Sequence, residues 1–166
     1  MQNRNFVPCL LGLEAPIGDE LRKLGLADIS AENGRVYFDG DERAVASANI
    51  CLRIGERVLI EVGRFSADTF DRLFESVKAL PWENYLPKDA AFPVKGYCLN
   101  STLMSVPDCQ KIIKKAIVER LKQKYHVSWF EESGPVHQIQ FSVMKDNVSV
   151  GIDTSGDGLH KRGYRP

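Results

Sequence analysis

The amino-acid sequence predicts an α+β fold of two successive units, about residues 1–65 and 66–155, followed by a glycine-rich segment at 156–166. Three observations predict it. Strand and helix signals alternate along the chain, apolar residues repeat at helical spacing, and turn signals at Asn33-Gly34 and Lys145-Asp146-Asn147 each separate two strand patterns. With 166 residues, 43% of them hydrophobic, the chain is long enough to bury a core. Disorder is therefore not its expected state.

The first unit is predicted to contain strand, helix, hairpin, helix and strand in that order, which is the ferredoxin-like arrangement. The apolar run at 6–11 predicts the first strand, and Gly25 ends the helix that follows it. The dipeptide Asn33-Gly34 tolerates positive φ and predicts a tight hairpin. Asp41 is a suitable N-cap for the second helix, and residues 57–65 return as a strand.

The second unit is predicted to begin with an amphipathic helix that Ser66 caps and Pro81 stops. A strand around 92–99 and a polar loop at 100–107 lead into a basic helix. Alternating apolar residues between 138 and 152 then predict a second hairpin. The expected apolar side of the basic helix consists of Ile113, Ala116, Ile117 and Leu121.

Positive charge is concentrated in two places, although the chain has 22 basic and 22 acidic residues and no net charge. Residues 107–126 carry 6 basic and 2 acidic groups, whereas residues 1–65 carry 8 and 10. The last eight residues hold Lys161, Arg162 and Arg165 and no acid. Such clusters favour a polyanionic partner, and an ordinary solvated helix face together with a charged linker is the alternative interpretation.

Several classes of protein are not expected from this sequence. No apolar run approaches the roughly 18 residues of a membrane-spanning helix, and the N-terminus lacks the pattern of a secretory signal. We therefore expect a cytoplasmic protein with no membrane partner. The cysteines form no Cys-x-x-Cys pair and no histidine stands at metal-ligand spacing, so reduced thiols and no metal site are expected.

No catalytic residue is predicted in this chain. A nucleotide-type cofactor usually needs a glycine-rich turn between a buried strand and a helix, and the one glycine cluster, at 151–163, stands too near the end of the chain to precede that helix. Methylation of base amino groups typically uses an acidic or amide residue followed by two prolines, and none of the eight prolines is adjacent to another. We expect a chain that binds rather than catalyses.

The segment 153–165, Asp-Thr-Ser-Gly-Asp-Gly-Leu-His-Lys-Arg-Gly-Tyr-Arg, resembles the junction motif of the THUMP-containing ribosomal RNA methyltransferases. The similarity extends over about residues 5–165 and includes Gly12-Leu13-Glu14, the Asn33-Gly34 hairpin and the helix at 114–118. In that family a ferredoxin-like domain and a THUMP domain precede a catalytic domain. That domain transfers methyl from S-adenosylmethionine to N2 of a guanine in large-subunit ribosomal RNA.

The resemblance implies that this chain binds ribosomal RNA and positions it for its own C-terminal methyltransferase domain. The sequence departs from the family pattern because it stops at Pro166, where the catalytic domain begins. We therefore expect a fragment in which 156–166 lead to that domain. S-adenosylmethionine is implied for the catalytic domain alone, and no cofactor is expected in this chain.

The RNA-binding residues are expected in the two basic clusters, because lysine and arginine neutralise backbone phosphates. Tyr97 and the pair Trp129-Phe130 are further candidates for stacking on unpaired bases, although such residues more often belong to a core or its cover. The candidate phosphate contacts are Lys111, Lys114, Lys115, Lys161, Arg162 and Arg165, with Asn100 and Ser101 as weaker loop candidates.

Three alternatives stay open at this point. The same scaffold also occurs in enzymes that modify transfer RNA. A ferredoxin-like unit can instead serve as a protein-interaction or dimerisation module without any RNA. An older family label, adenine-specific DNA methylase, is disfavoured because THUMP domains are associated with RNA and no element here is suited to a DNA groove.

Overall fold

The computed structural model describes residues 2–32, 34–52 and 57–154. They form two compact units, one made of the described residues up to Glu61 with Asp153 and Thr154, the other of Val62–Ile152. The α+β class is confirmed. The helices are α1 (Glu14–Lys23), α2 (Glu42–Cys51), α3 (Phe70–Lys78) and α4 (Val106–Tyr125), with a short 3-10 helix at Trp82–Asn84; the strands are β1 (Asn3–Pro8), β2 (Ala27–Glu32), β3 (Arg35–Gly40), β4 (Leu59–Ser66), β5 (Val94–Leu99), β6 (Ile139–Met144) and β7 (Asn147–Asp153).

The first unit has the predicted ferredoxin-like order β1-α1-β2-β3-α2-β4. Its strands lie in the order β2-β3-β1-β4, and β1 pairs antiparallel with both β3 and β4. Both helices pack their apolar residues on one face of these strands. This core contains Val7, Ile17, Leu21, Val36, Phe38, Val45, Ala48, Leu52 and Val58.

Local signals explain the turns of the first unit. Gly25, at φ 78°, directly follows the last turn of α1, as predicted, because glycine adopts the left-handed conformation without strain. Strands β2 and β3 pair from Glu32 with Arg35, next to Gly34 at φ 79°; Asn33 lies outside the described residues. The Asp41 carboxylate caps α2 by accepting hydrogen bonds from the amides of Arg43 and Ala44.

The opposite face of the first unit's strands carries aromatic rings covered by arginines. Phe6 and Tyr37 are 3% and 2% exposed, and their centroids are 5.6 Å apart. The Arg35 guanidinium lies 4.4 Å from the Phe6 centroid, and that of Arg4 lies 5.4 Å from the Tyr37 centroid. Arg4 also donates to Asp39 Oδ1 at 2.9 Å and to Ser30 Oγ at 2.6 Å. The cations of this face are therefore engaged in internal contacts.

The second unit orders its strands β4-β7-β6-β5, with the residues of β4 from Val62 onward belonging to it. Strands β5 and β6 are parallel, and β6 and β7 form the predicted antiparallel hairpin. Its turn has positive φ at both Lys145 and Asp146, as a two-residue type I′ turn requires. The core includes Leu73, Val77, Ile113, Ala116, Ile117, Leu121, Ile139, Phe141, Val143, Val148, Val150 and Ile152, which confirms the predicted apolar side of α4.

Three predicted boundaries were wrong. The first strand ends at Pro8 and leaves Leu10 and Leu11 exposed, since its pairing with β3 stops at the Pro8–Arg35 pair. Ser66 does not cap α3: it is the last residue of β4, and Thr69 accepts the hydrogen bond from the Arg72 amide. The predicted loop 100–107 is shorter, because α4 begins at Val106 and takes proline into its first turn.

The connector between α3 and β5 is held to the second unit by buried and half-buried polar contacts. The Trp82 indole is fully buried and donates to the Val77 carbonyl at 2.8 Å. Arg120 of α4 makes two hydrogen bonds to the Glu83 carboxylate, at 2.8 and 3.0 Å, and this pairing lowers the pKa of Glu83. One arginine of the basic helix therefore serves the fold.

Candidate nucleic-acid interface

Helix α4 carries three of the six candidate cations, and its two ends are well defined. The Ser105 hydroxyl accepts a hydrogen bond from the Asp108 amide, and His126, at φ 56°, closes the helix in a left-handed conformation. Because the apolar side of the helix is buried, Lys111 and Lys115 lie one turn apart on its exposed side. Neither lysine has an acidic partner among the described residues.

Lys115 shares an aromatic neighbour with a lysine of α3. Its Nζ lies 5.9 Å from the Phe74 centroid, and Lys78 Nζ lies 5.8 Å from the same centroid. Within the part of the chain that the structure describes, Lys78 also has no acidic partner. Two unneutralised ammonium groups beside one ring create a local positive potential that favours an anion. Lys78, Phe74, Lys111 and Lys115 are called the α3–α4 lysine cluster below.

Lys78 was missed from the sequence. It stands four residues after Phe74, so the two side chains share one face of α3, but that face becomes relevant only because α3 packs against α4. The usable signal was a lysine in the last turn of an amphipathic helix. A lysine at that position is also explained by the helix dipole, which is why the pattern alone does not single it out.

Lys114 is engaged inside the second unit. Its ammonium donates to the Phe92 carbonyl at 3.0 Å, lies 3.7 Å from the Phe92 ring centre and forms an ion pair with Glu132. The hydrogen bond from Lys114 holds the pKa of the Glu132 carboxyl below its usual range, against the effect of partial burial. The structure thus places Lys114 as a tether between α4 and the segment that follows it.

Asn100 and Ser101 begin a loop that is joined to the β6–β7 turn. Asn100 is exposed, with φ 48°. The Ser101 hydroxyl donates to the Leu99 carbonyl at 2.9 Å and accepts from the Asp146 amide at 3.1 Å. The Asp146 carboxylate accepts from the Thr102 amide at 2.7 Å, and its own carbonyl accepts from the Ala67 amide at 2.9 Å. One aspartate therefore connects the segments that follow β4, β5 and β6.

The structure thus brings two of the predicted site residues, Lys111 and Lys115, to one side of α4 and adds Lys78 to them. It gives Lys114 and Ser101 internal partners and leaves Asn100 exposed. The predicted contacts Lys161, Arg162 and Arg165 lie outside the described residues.

Neither a metal centre nor a membrane-spanning segment is found in the described part of the chain. Over residues 2–32, 34–52 and 57–154, no three His, Cys, Asp or Glu side chains are grouped so that they could hold a metal ion. None of the helices α1 to α4 combines the length and the apolar character needed to cross a membrane. All four cysteines are free, and burial, followed by its neighbour Cys98, raises the pKa of Cys109 to about 12.

Comparisons with known families match both parts of the chain. The sequence model described as the RlmL ferredoxin-like domain matches residues 4–59, and that of the THUMP domain matches residues 67–153. YpsC of Bacillus subtilis (strain 168), named as an RNA methyltransferase, is 46% identical over 157 residues, which are 93% of this chain and 40% of YpsC. The ribosomal RNA large subunit methyltransferase K/L of Syntrophotalea carbinolica is 28% identical over 96% of this chain and 23% of its own length.

Two solved structures match almost the whole of this chain. A predicted N6-adenine-specific DNA methylase from Listeria monocytogenes is 53% identical, with a TM-score of 0.92 over 99% of this chain and 43% of that one. SMU.472, a methyltransferase by name that was crystallised with SAH, is 44% identical, with a TM-score of 0.90 over 99% of this chain and 45% of that one. The present chain thus spans less than half the length of each of these four relatives.

Proposed function

This chain belongs to the THUMP domain family, and on that premise we propose that it is the RNA-gripping part of a methyltransferase that modifies guanine N2 in large-subunit ribosomal RNA. The observation that carries the proposal is the α3–α4 lysine cluster, whose three ammonium groups have no acidic partner among the described residues. The relatives named as RNA and ribosomal RNA methyltransferases support RNA as the polyanion.

The proposed action of the cluster is to hold phosphates. Each lysine that meets a phosphate releases condensed counterions, so affinity should fall steeply as salt is raised. Lys111 and Lys115 lie one helical turn apart, and Lys78 faces the same ring as Lys115, so a curved RNA backbone can meet all three. Phosphate contacts of this kind recognise the shape and charge of the RNA rather than its base sequence. Its role is to hold the RNA so that one base reaches a distant active site.

The methyl donor is proposed to bind elsewhere in the longer protein. SMU.472 contains SAH, which supports S-adenosylmethionine as the donor in the relatives. The second unit does not fit that cofactor, because neither of its strand-to-helix junctions, Ala67–Thr69 and Asn100–Ser105, contains a glycine. We assign the ferredoxin-like domain to residues 1–65, the THUMP domain to 66–155, and 156–166 to the junction with a catalytic domain. In this proposal, Lys161, Arg162 and Arg165 of the junction add phosphate contacts, and the protein works in the cytoplasm.

The test is RNA binding by variants of matched charge. We would measure the affinity for a labelled ribosomal RNA hairpin by fluorescence anisotropy at about 50 and 200 mM salt. The double variant Lys78→Met with Lys115→Met should bind about ten-fold more weakly and lose about two from the salt slope. The control, Lys88→Met with Lys124→Met, removes the same charge from two exposed lysines outside the cluster and should bind almost as the parent does.

Three results would overturn the proposed RNA binding, and a fourth would change its substrate. Equal weakening by both double variants would show that net charge alone attracts RNA. Unchanged affinity in the cluster variant would show that the lysines do not touch RNA. A transfer RNA probe in parallel separates the substrates, since tighter, cluster-dependent binding of transfer RNA would replace ribosomal RNA in the proposal. Absence of binding to any RNA would favour a protein-interaction module.

A further inference from the structure

In the second unit, strand β5 has exposed side chains on the side of the sheet opposite α4. Along β5, Cys98 points to α4, where its Sγ lies 3.8 Å from that of Cys109. Side chains alternate along a strand, so Lys95, Tyr97 and Leu99 lie on the other side. Tyr97 is 46% exposed and Leu99 is 51% exposed. An aromatic ring and a leucine left half in solvent on one strand are not part of the core.

These two side chains continue onto the neighbouring strand. Leu99 pairs with Met144 in the parallel register of β5 and β6, and Met144 is 38% exposed. The Tyr97 hydroxyl lies 3.6 Å from the Met144 sulfur, so the three side chains form one surface. Gln140 and Ser142 share this side of β6, and Ser149 lies opposite Ser142 on β7, but Ser142 and Ser149 are only 5% and 8% exposed. The exposed surface is therefore confined to β5 and to Met144 at the end of β6. We call Tyr97, Leu99 and Met144 the β5 platform.

The surroundings of the platform are positive. Lys95 precedes Tyr97 on the same face of β5, and Lys145 follows Met144; both are exposed and have no acidic partner among the described residues. Strands β5 and β6 contain no acidic residue, and β7 contains none before Asp153. The one carboxylate in the nearby turn, that of Asp146, accepts hydrogen bonds from Thr102. Ammonium groups therefore flank the ring without competing acids.

We propose that the β5 platform binds an unpaired nucleotide of the RNA substrate, with its base stacked on Tyr97 and its neighbouring phosphates on Lys95 and Lys145. The inference rests on the proposed RNA-binding function and adds a second, chemically different contact to it. Single-stranded RNA is recognised by aromatic side chains that stack on splayed bases beside cations that hold the backbone. Three side chains match the size of a base, whereas a stable protein interface needs about 20–30 residues on each side.

The experiment compares two RNA probes and two kinds of variant of the full chain. The probes are a labelled single-stranded oligouridine and a blunt RNA duplex. Tyr97→Ala should weaken oligouridine binding about ten-fold and leave duplex binding unchanged, because a paired base is not available to stack. Tyr97→Phe retains the ring and should restore most of the affinity, whereas Tyr97→Leu, which is apolar but cannot stack, should not.

A matched control uses Trp129, which was also a stacking candidate from the sequence but has two acidic residues close to it. Trp129 is 70% exposed in the segment after α4, next to Glu131 and Glu132, so Trp129→Ala should leave both affinities unchanged. Circular dichroism of each variant should match that of the parent, because neither Tyr97 nor Trp129 is buried.

The outcomes separate this inference from the proposed function. If the lysine-cluster variant loses duplex binding but Tyr97→Ala binds oligouridine as the parent does, the platform is not a nucleotide site and the lysine cluster stands. If no RNA binds at all, both fall. If the parent self-associates in sedimentation velocity and Tyr97→Ala abolishes that while RNA affinity is unchanged, the platform is a protein interface and the inference is wrong.

Discussion

Each unit has a sheet face on which an aromatic ring lies near basic side chains, but these side chains have internal partners in the first unit and no acidic partner among the described residues in the second. In the first unit, Arg4 and Arg35 lie over Tyr37 and Phe6, and Arg4 is also bonded to Asp39, so the rings are almost fully buried. In the second unit, the Tyr97 ring is half exposed, and nearby Lys95 has no acidic partner among the described residues. Residue types alone would rank the arginine-rich face as the better site for nucleic acid. The contacts show that its cations already have partners.

The largest expected difference concerns the two tyrosines. Tyr37→Ala should lower the free energy of unfolding by about 3 kcal/mol or more, because it empties a buried site between Phe6 and Arg4. Tyr97→Ala should change it by less than about 0.5 kcal/mol, since its ring is half in solvent. Urea unfolding of both variants measures the difference. Equal losses of unfolding free energy would contradict the distinction between the buried Tyr37 ring and the half-exposed Tyr97 ring.

A smaller effect is expected from the cations of the same two faces. Arg4→Met should cost about 1.5 kcal/mol of unfolding free energy, because Arg4 donates to Asp39, to Ser30 and to the Asp28 carbonyl at 2.7 Å. Lys95→Met, the matched change on β5, should cost almost nothing but should weaken oligouridine binding. Thermal unfolding and anisotropy on both variants give the comparison. RNA binding that depends on Arg4 and not on Lys95 would contradict the assignment of Arg4 to stability and Lys95 to RNA binding.

Within the second unit, the neighbours Lys114 and Lys115 are expected to differ in the same way. Lys114→Met should cost about 1 kcal/mol of stability through its contacts with Phe92 and Glu132, with little change in RNA affinity. Lys115→Met should instead weaken RNA binding and leave stability almost unchanged, because the Lys115 ammonium contacts only the Phe74 ring. The readouts are the urea midpoint and RNA affinity. If Lys114→Met weakened RNA binding without lowering stability, Lys114 would belong with the RNA-binding lysines.

The smallest effect is a dependence on pH. Because Lys114 lowers the pKa of Glu132 in the folded chain, the carboxylate contributes stability above its ordinary pKa, and this is lost as pH falls through the folded value. The difference in melting temperature between the parent and Glu132→Gln should therefore be full near neutral pH and shrink between about pH 5 and pH 3. A difference that grows on acidification would contradict the assignment.

Short-range patterns accounted for most of the fold. The order of elements, the Asp41 cap and the buried side of α4 were predicted, because each depends on residues within one or two turns. The failures came where two local signals competed. Ser66 and Thr69 are both good caps, and the choice fell to Thr69 because strand pairing extends β4 to Ser66. Nothing local in the sequence records that pairing.

The candidate site was less predictable, because it depends on which charges are paired across the fold. Lys114 and Lys115 are adjacent lysines of one helix, and what distinguishes them is that Lys114 contacts Phe92 and Glu132, which lie 22 residues before it and 18 residues after it. Lys78 joins Lys115 through the packing of α3 on α4. Tyr97 was a stacking candidate by residue type alone, and its exposure follows from the position of β5 at the end of the strand order.

Asp146 has a consequence for the thermodynamics of binding. By joining Ala67, Ser101 and Thr102, it holds together the segments that lead into both helices of the second unit. A binding surface assembled from separate mobile loops would lose entropy each time a ligand ordered them. Here that ordering is completed when the domain folds. Complex formation should therefore proceed with little conformational penalty. Replacing Asp146 would remove its carboxylate bonds to Thr102 and loosen the segment before α4, which should make association entropically less favourable even for ligands that never touch this residue.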